Sequence, residues 1–110
     1  MILKLTGRRI ATDVQGYLLN IDDWSEDLVP LLAKKECLNL SQAHWNVIRF
    51  IRTFYLEFNI TPAIRILISE MNKKYGIEYI NSNYLYCLFP KGPAQQATKL
   101  AGLPKPIHCI

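Results

Sequence analysis

Trp45, Ile48, Ile51, Phe54, Tyr55 and Phe58 recur at steps of three and four residues or their sums. That spacing lays one apolar stripe along a helix; a strand would throw the same residues onto both faces. Ser41 stands just ahead of the stripe and is a good N-cap. A long amphipathic helix is therefore predicted after Ser41, with Arg49, Arg52 and Thr53 outward. Such a helix buries its stripe only against other elements, which the rest of the chain must supply. With 110 residues, half of them hydrophobic, the chain has material for one domain and one modest core.

The other elements follow from local signals. Ile2–Leu5 and Arg8–Ala11 around Thr6-Gly7 read as a β-hairpin, which needs helices to pack against. A first helix is expected near Trp24-Ser25, with Ser25 as its cap and Leu28, Leu31, Leu32 and Cys37 inward. Pro30 fits only in its early turns. Thr61-Pro62 is read as the cap and first turn of a third helix, striped by Ala63, Ile64, Leu67, Ile68 and Met71 and stopped at Tyr75-Gly76. Asn81-Ser82-Asn83 opens a short apolar helix over residues 84–89, which Pro90-Lys91-Gly92-Pro93 breaks. Residues 94–101 form a last helix, ended by Gly102.

After Gly102 the character changes. Pro104 and Pro106 fix φ and remove two backbone donors, and the residues before them are pushed to extended conformations. Residues 102–110 are therefore expected to be a mobile arm. Cys109 sits at its tip, well placed for chemistry delivered into another protein. Cys37 and Cys87, among apolar neighbours, are read as small buried hydrophobes. Three cysteines without CxxC or other metal spacing predict no metal site and free thiols in a reducing cytosol. No apolar run approaches the ~18 residues of a membrane span, and the first residues lack the regions of a signal peptide. A cytoplasmic protein without membrane or cofactor is expected, monomeric on its own.

Charge and remaining motifs narrow the chemistry. The net charge is +4, and no Asp or Glu follows Glu78, while Lys91, Lys99 and Lys105 remain. A basic C-terminal third favours an anionic partner, RNA or an acidic protein face; the bland alternative is a solvated basic face. His44 beside Trp45 reads as a structural hydrogen-bonding residue, since His108 is the only other histidine. No phosphate-binding loop or Ser-His-Asp arrangement is present. The second and third helices could form a helix-turn-helix, but the third offers few base readers beyond Ser69 and Asn72.

Several segments resemble the DsrC/TusE family. They are Leu40-Ser41, His44-Trp45-Asn46-Val47-Ile48-Arg49-Phe50, Tyr84-Leu85-Tyr86-Cys87-Leu88-Phe89-Pro90-Lys91-Gly92-Pro93-Ala94-Gln95-Gln96-Ala97, and Ala101-Gly102-Leu103-Pro104-Lys105-Pro106 followed by Cys109. The resemblance spans nearly the whole chain. It implies a mainly α fold, a small orthogonal helical bundle with an N-terminal β-hairpin and a flexible C-terminal arm. Members tied to dissimilatory sulfite reductase carry a second arm cysteine eleven residues before the penultimate one; here that position is Thr98. The chain thus looks closer to the TusE branch, a sulfur relay for tRNA 2-thiouridine synthesis. That branch implies a persulfide received from a TusBCD-type complex on Cys109 and passed to the tRNA 2-thiouridylase with bound tRNA, for wobble-uridine thiolation. The alternatives are a DsrC-type partner of sulfite reductase and a basic helix-turn-helix regulator.

The residues suit sulfur-group transfer. An unperturbed thiol has a pKa of ~8.5, so a few per cent is thiolate at neutral pH. Lys105 and His108 favour the thiolate of Cys109, and the terminal carboxylate opposes them. Lys99 and Lys105 are expected to help the arm dock by steering it towards acidic surfaces.

Overall fold

The computed structural model describes residues 2–5, 7–76 and 80–104. Strands β1 (Ile2–Leu5) and β2 (Arg8–Ala11) pair antiparallel, in register from Ile2 opposite Ala11 to Leu5 opposite Arg8. Gly7 takes φ +72° in the connection, a conformation glycine adopts without strain. The hairpin contributes Ile10, fully buried, to the common core. Five helices follow among the described residues: α1 (Val29–Lys35), α2 (Gln42–Phe58), α3 (Ile64–Tyr75), α4 (Ser82–Leu88) and α5 (Pro93–Leu100). The expected mainly helical fold with an N-terminal hairpin is what the chain adopts.

The first helix begins later than Ser25. Ser25 is extended and precedes a 3-10 turn, Glu26–Leu28, but its hydroxyl caps nothing. The reason is Pro30. It has no N–H for the carbonyl four residues back, and its ring would crowd that carbonyl. The turn therefore closes with shorter-range bonds, Leu28 N–H to Ser25 O at 3.0 Å and Val29 N–H to Glu26 O. Helix α3 also starts later than read. Its N-cap is Ala63, and Pro62 is buried in the body ahead of the helix.

Helix α2 runs from Ser41, as the stripe predicts, with Val47, Ile48 and Ile51 buried. The stripe weakens at its end, where Phe58 is mostly exposed. At its start the capping box uses histidine. Ser41 Oγ accepts from His44 N–H, and Ser41 N–H donates to His44 Nδ1 at 3.1 Å. The other ring nitrogen, Nε2, lies 2.7 Å from the Leu88 carbonyl. Donors at Nδ1 and an acceptor at Nε2 fit a neutral ring protonated on Nε2. His44 is thus the structural residue expected, joining the start of α2 to the end of α4, with its ring edge-on to Phe89.

Helix α5 packs on α1 and α2 and delivers Ala97, Thr98, Leu100 and then Leu103 to the core. Phe89, Leu85, Met71, Leu67, Leu28 and Leu32 complete it.

Candidate functional site at the root of the C-terminal arm

The site was placed by sequence on Cys109, Lys105, His108 and Lys99. The first three lie outside the described residues. What the structure defines is the segment that precedes them, up to residue 104.

Helix α5 ends in a Schellman motif. Gly102 N–H donates to Lys99 O at 3.1 Å, and Leu103 N–H reaches back to Thr98 O at 3.2 Å. Gly102 takes φ +71°, the left-handed geometry this motif requires. A second constraint is added here. A Cβ on Gly102 would lie 2.4 Å from Cδ1 of Trp24 and 2.7 Å from its Cβ and Cγ, so no side chain fits. Leu103, the next residue, is fully buried. Within the range 102–110 expected as arm, residues 102 and 103 therefore belong to the body. The hydrophobic residue that commonly follows a Schellman glycine packs back on its helix, a signal already present in Gly102-Leu103.

Two side chains hold this root. Trp24 Nε1–H donates to Leu100 O at 2.9 Å. Arg52 was expected outward, yet it turns in. Its Nη1 donates to Ala101 O at 2.8 Å, its Nη2 to Ile21 O at 3.1 Å, and its guanidinium sits 4.3 Å from the Trp24 ring centroid. The carbonyls at the end of α5 lack intrahelical donors, and the forked, planar guanidinium can serve two acceptors at once. Burial lowers the pKa of Arg52 and the nearby Asp22 opposes that shift.

Lys99 is not the exposed steering charge expected. Its Nζ lies 3.4 Å from Glu36 Oε1, and both side chains are about 85 % covered. The ammonium also approaches the Tyr17 ring, at 5.2 Å. Gln96 completes the cluster, donating to Glu36 at 3.3 Å and accepting from Lys91 N–H at 3.0 Å. The acidic partner comes from the end of α1, distant in sequence but adjacent in space. Burial raises the Tyr17 pKa, with Asp13 and Glu36 adding to it. Lys91 remains exposed.

Cys37 and Cys87 are exposed, against the expectation of burial. Cys37 occupies the left-handed position after α1, at φ 59°, and lines an open groove with Pro30, Ala33 and Lys34 of that helix. Cys87 lies two residues after buried Leu85, about 200° around α4 and so on its outer face. Burial therefore gives no ground for setting Cys37 and Cys87 aside as inert. Thr98, where the two-cysteine branch has its second thiol, is fully buried with Oγ1 unpartnered among the described residues. No cluster of metal-ligating side chains occurs among the described residues, and no described helix is long and apolar enough to cross a membrane.

Residues 4–110 match the profile of the family described as DsrC like protein. The chain belongs to that family. Among DsrC-like proteins it is 61 % identical over 109 residues to a protein of Yersinia pestis named sulfurtransferase TusE, covering 99 % of this chain and 100 % of the relative. The Escherichia coli (strain K12) protein of that name is 56 % identical, with the same coverage. The NMR structure of Allochromatium vinosum DsrC is 45 % identical and superposes with a TM-score of 0.89 over all of both chains. The oxidized gamma-subunit of the dissimilatory sulfite reductase from Archaeoglobus fulgidus gives 32 % and 0.89, again over both full chains.

Proposed function

We propose that this DsrC-like chain is a sulfurtransferase that relays sulfur through Cys109, towards 2-thiolation of wobble uridine in tRNA. The observation that carries the reading is full-length similarity to proteins named sulfurtransferase TusE. Thr98 supports the relay branch over a sulfite-reductase partner, because a buried threonine cannot supply the second redox thiol. The donor is a TusBCD-type complex, the acceptor the tRNA 2-thiouridylase holding its tRNA, and the compartment the cytoplasm.

In the proposed step the Cys109 thiolate attacks the outer sulfur of a donor persulfide. A new S–S bond forms on Cys109, the donor's S–S bond breaks, and the donor cysteine leaves as thiolate. The outer sulfur keeps its oxidation state, so no external oxidant or reductant is consumed. Delivery repeats the exchange: an acceptor thiolate takes the outer sulfur and Cys109 leaves as thiolate. Lys105 and His108 precede the thiol in sequence and favour its ionised form, while the terminal carboxylate opposes them. One thiol must visit two pockets, and a position one residue from the chain end suits that task.

The test is intact-mass spectrometry after incubation with a persulfide-loaded cysteine desulfurase and its relay proteins. The parent, Cys37→Ser and Cys87→Ser should gain one sulfur, and Cys109→Ser none. Sulfur gained by Cys109→Ser refutes the assignment. The exposure of Cys37 and Cys87 makes those two controls necessary.

A further inference from the structure

We propose that the outer face of the β1–β2 hairpin, built on Lys4 and Arg9, is an RNA-binding surface that takes the phosphate backbone of tRNA. This deepens the relay reading, in which the acceptor enzyme holds tRNA, yet the contact can be measured without the relay. Lys4 on β1 stands directly opposite Arg9 on β2. Side chains alternate along a strand and Ile10 is fully buried, so Arg9 and the Lys4 facing it point away from the core. Both are exposed. Directly opposed residues have Cβ atoms about 5 Å apart, and like charges there are destabilising. A ribbon of two short strands has little stability of its own to set against that.

Nothing on this face offsets the repulsion. Neither side chain makes a hydrogen bond, an ion pair or a ring contact among the described residues. A third cation, Arg8, sits behind them and donates from Nη2 to the Asp23 carbonyl at 3.2 Å. All three precede the first acidic residue of the chain, Asp13, whose carboxylate is taken by Gln15 N–H and Tyr17 N–H. The tip is open, since a Cβ on Gly7 would meet nothing within 4 Å. The anion that completes the pair must come from a partner. A protein interface needs an apolar centre, and this face adds to its two cations only Ile2 and Ala11. A phosphate backbone asks only for accessible cations, each of which releases a counterion on binding. The rival account is that charge on a short exposed strand merely deters edge-to-edge pairing.

The experiment titrates a fluorescein-labelled tRNA transcript with the full chain, following anisotropy from about 50 to 200 mM salt. Lys4→Gln and Arg9→Gln should each weaken binding about fivefold at the low end and lower the slope of log K against log salt by about one. The loss should be the same for tRNAs of different sequence. Lys4→Glu separates binding from folding. Opposite Arg9 it makes an attractive pair, so the melting temperature should rise by about 2 °C, while tRNA affinity falls further than in Lys4→Gln. Sulfur acceptance at Cys109 should be unchanged in all three. A parent that binds no tRNA at the lowest salt overturns the proposal. Losses no larger than that of Arg65→Gln, which removes an exposed cation on α3, overturn it as well, since binding would then follow net charge alone. A stabilised Lys4→Glu with full tRNA affinity decides for the rival account. Weakened binding of the donor complex with tRNA affinity intact assigns the face to an acidic protein surface and also overturns it. If the parent gains no sulfur, the relay reading fails while the tRNA titration still decides the hairpin.

Discussion

Helices α1 and α5 end in the same hydrogen-bonded motif, yet one end tolerates a side chain and the other does not. After α1, Cys37 N–H donates to Lys34 O at 3.2 Å and Leu38 N–H to Ala33 O at 2.9 Å. After α5, Gly102 and Leu103 repeat the pattern onto Lys99 and Thr98. Both turning residues are left-handed, at φ 59° and 71°. At the first the side chain points to solvent and carries an exposed thiol. At the second an indole fills the space where a Cβ would go. The backbone conformation alone costs a non-glycine residue ~1–2 kcal/mol; the neighbour decides whether that cost is tolerable.

The sharpest attempt to break this comparison is Gly102→Ala. Left-handed strain and overpacking against Trp24 add to a destabilisation of about 4 kcal/mol in denaturant unfolding. A loss below about 1 kcal/mol would mean that the indole yields easily. Leu103→Ala comes next, at about 3 kcal/mol, the cost of emptying a closed apolar site. A truncation that removes Leu103 should cost at least as much. Thermal melts of the two proteins measure this directly.

A smaller effect is expected where the two helix ends meet. Glu36→Gln leaves Lys99 a largely covered cation without its anion, for a loss of about 1–2 kcal/mol. Combining Glu36→Gln with Lys99→Met in a double-mutant cycle gives the coupling; a coupling of zero would show that the pair is incidental. The smallest effect has the opposite sign. Cys37→Gly removes left-handed strain at an exposed site and should stabilise by about 0.5–1 kcal/mol, a gain limited by the added freedom of glycine in the unfolded chain. A destabilised Cys37→Gly would show that the thiol packs usefully in the shallow groove beside Leu38, Leu40 and Trp45.

Which features were legible in the sequence follows from the range over which they are decided. The hairpin, the Ser41 cap, the stops at Gly76 and Gly102 and the burial of Ile48 and Ile51 on α2 depend on neighbours a few residues away. Arg52 misled because helical spacing places its Cα on the polar side, and only the fold brings the carbonyls of Ile21 and Ala101 within reach of its long side chain. Lys99 appeared unpaired because its anion is on α1. Cys37 was misread because apolar neighbours in sequence say nothing of a left-handed turn. Of the site, Cys109 was chosen by its place in the chain and lies outside the described residues; the grip of Trp24 and Arg52 on the end of α5 was not readable, although the pair Gly102-Leu103 was a clue.

The burial of Leu103 carries the interior beyond the last described helix. Position 103 is a fixed mark in the core although it follows α5 in sequence. An insertion or deletion between Leu100 and Leu103 therefore alters the interior as well as the length of the chain, because it takes Leu103 out of its closed apolar site.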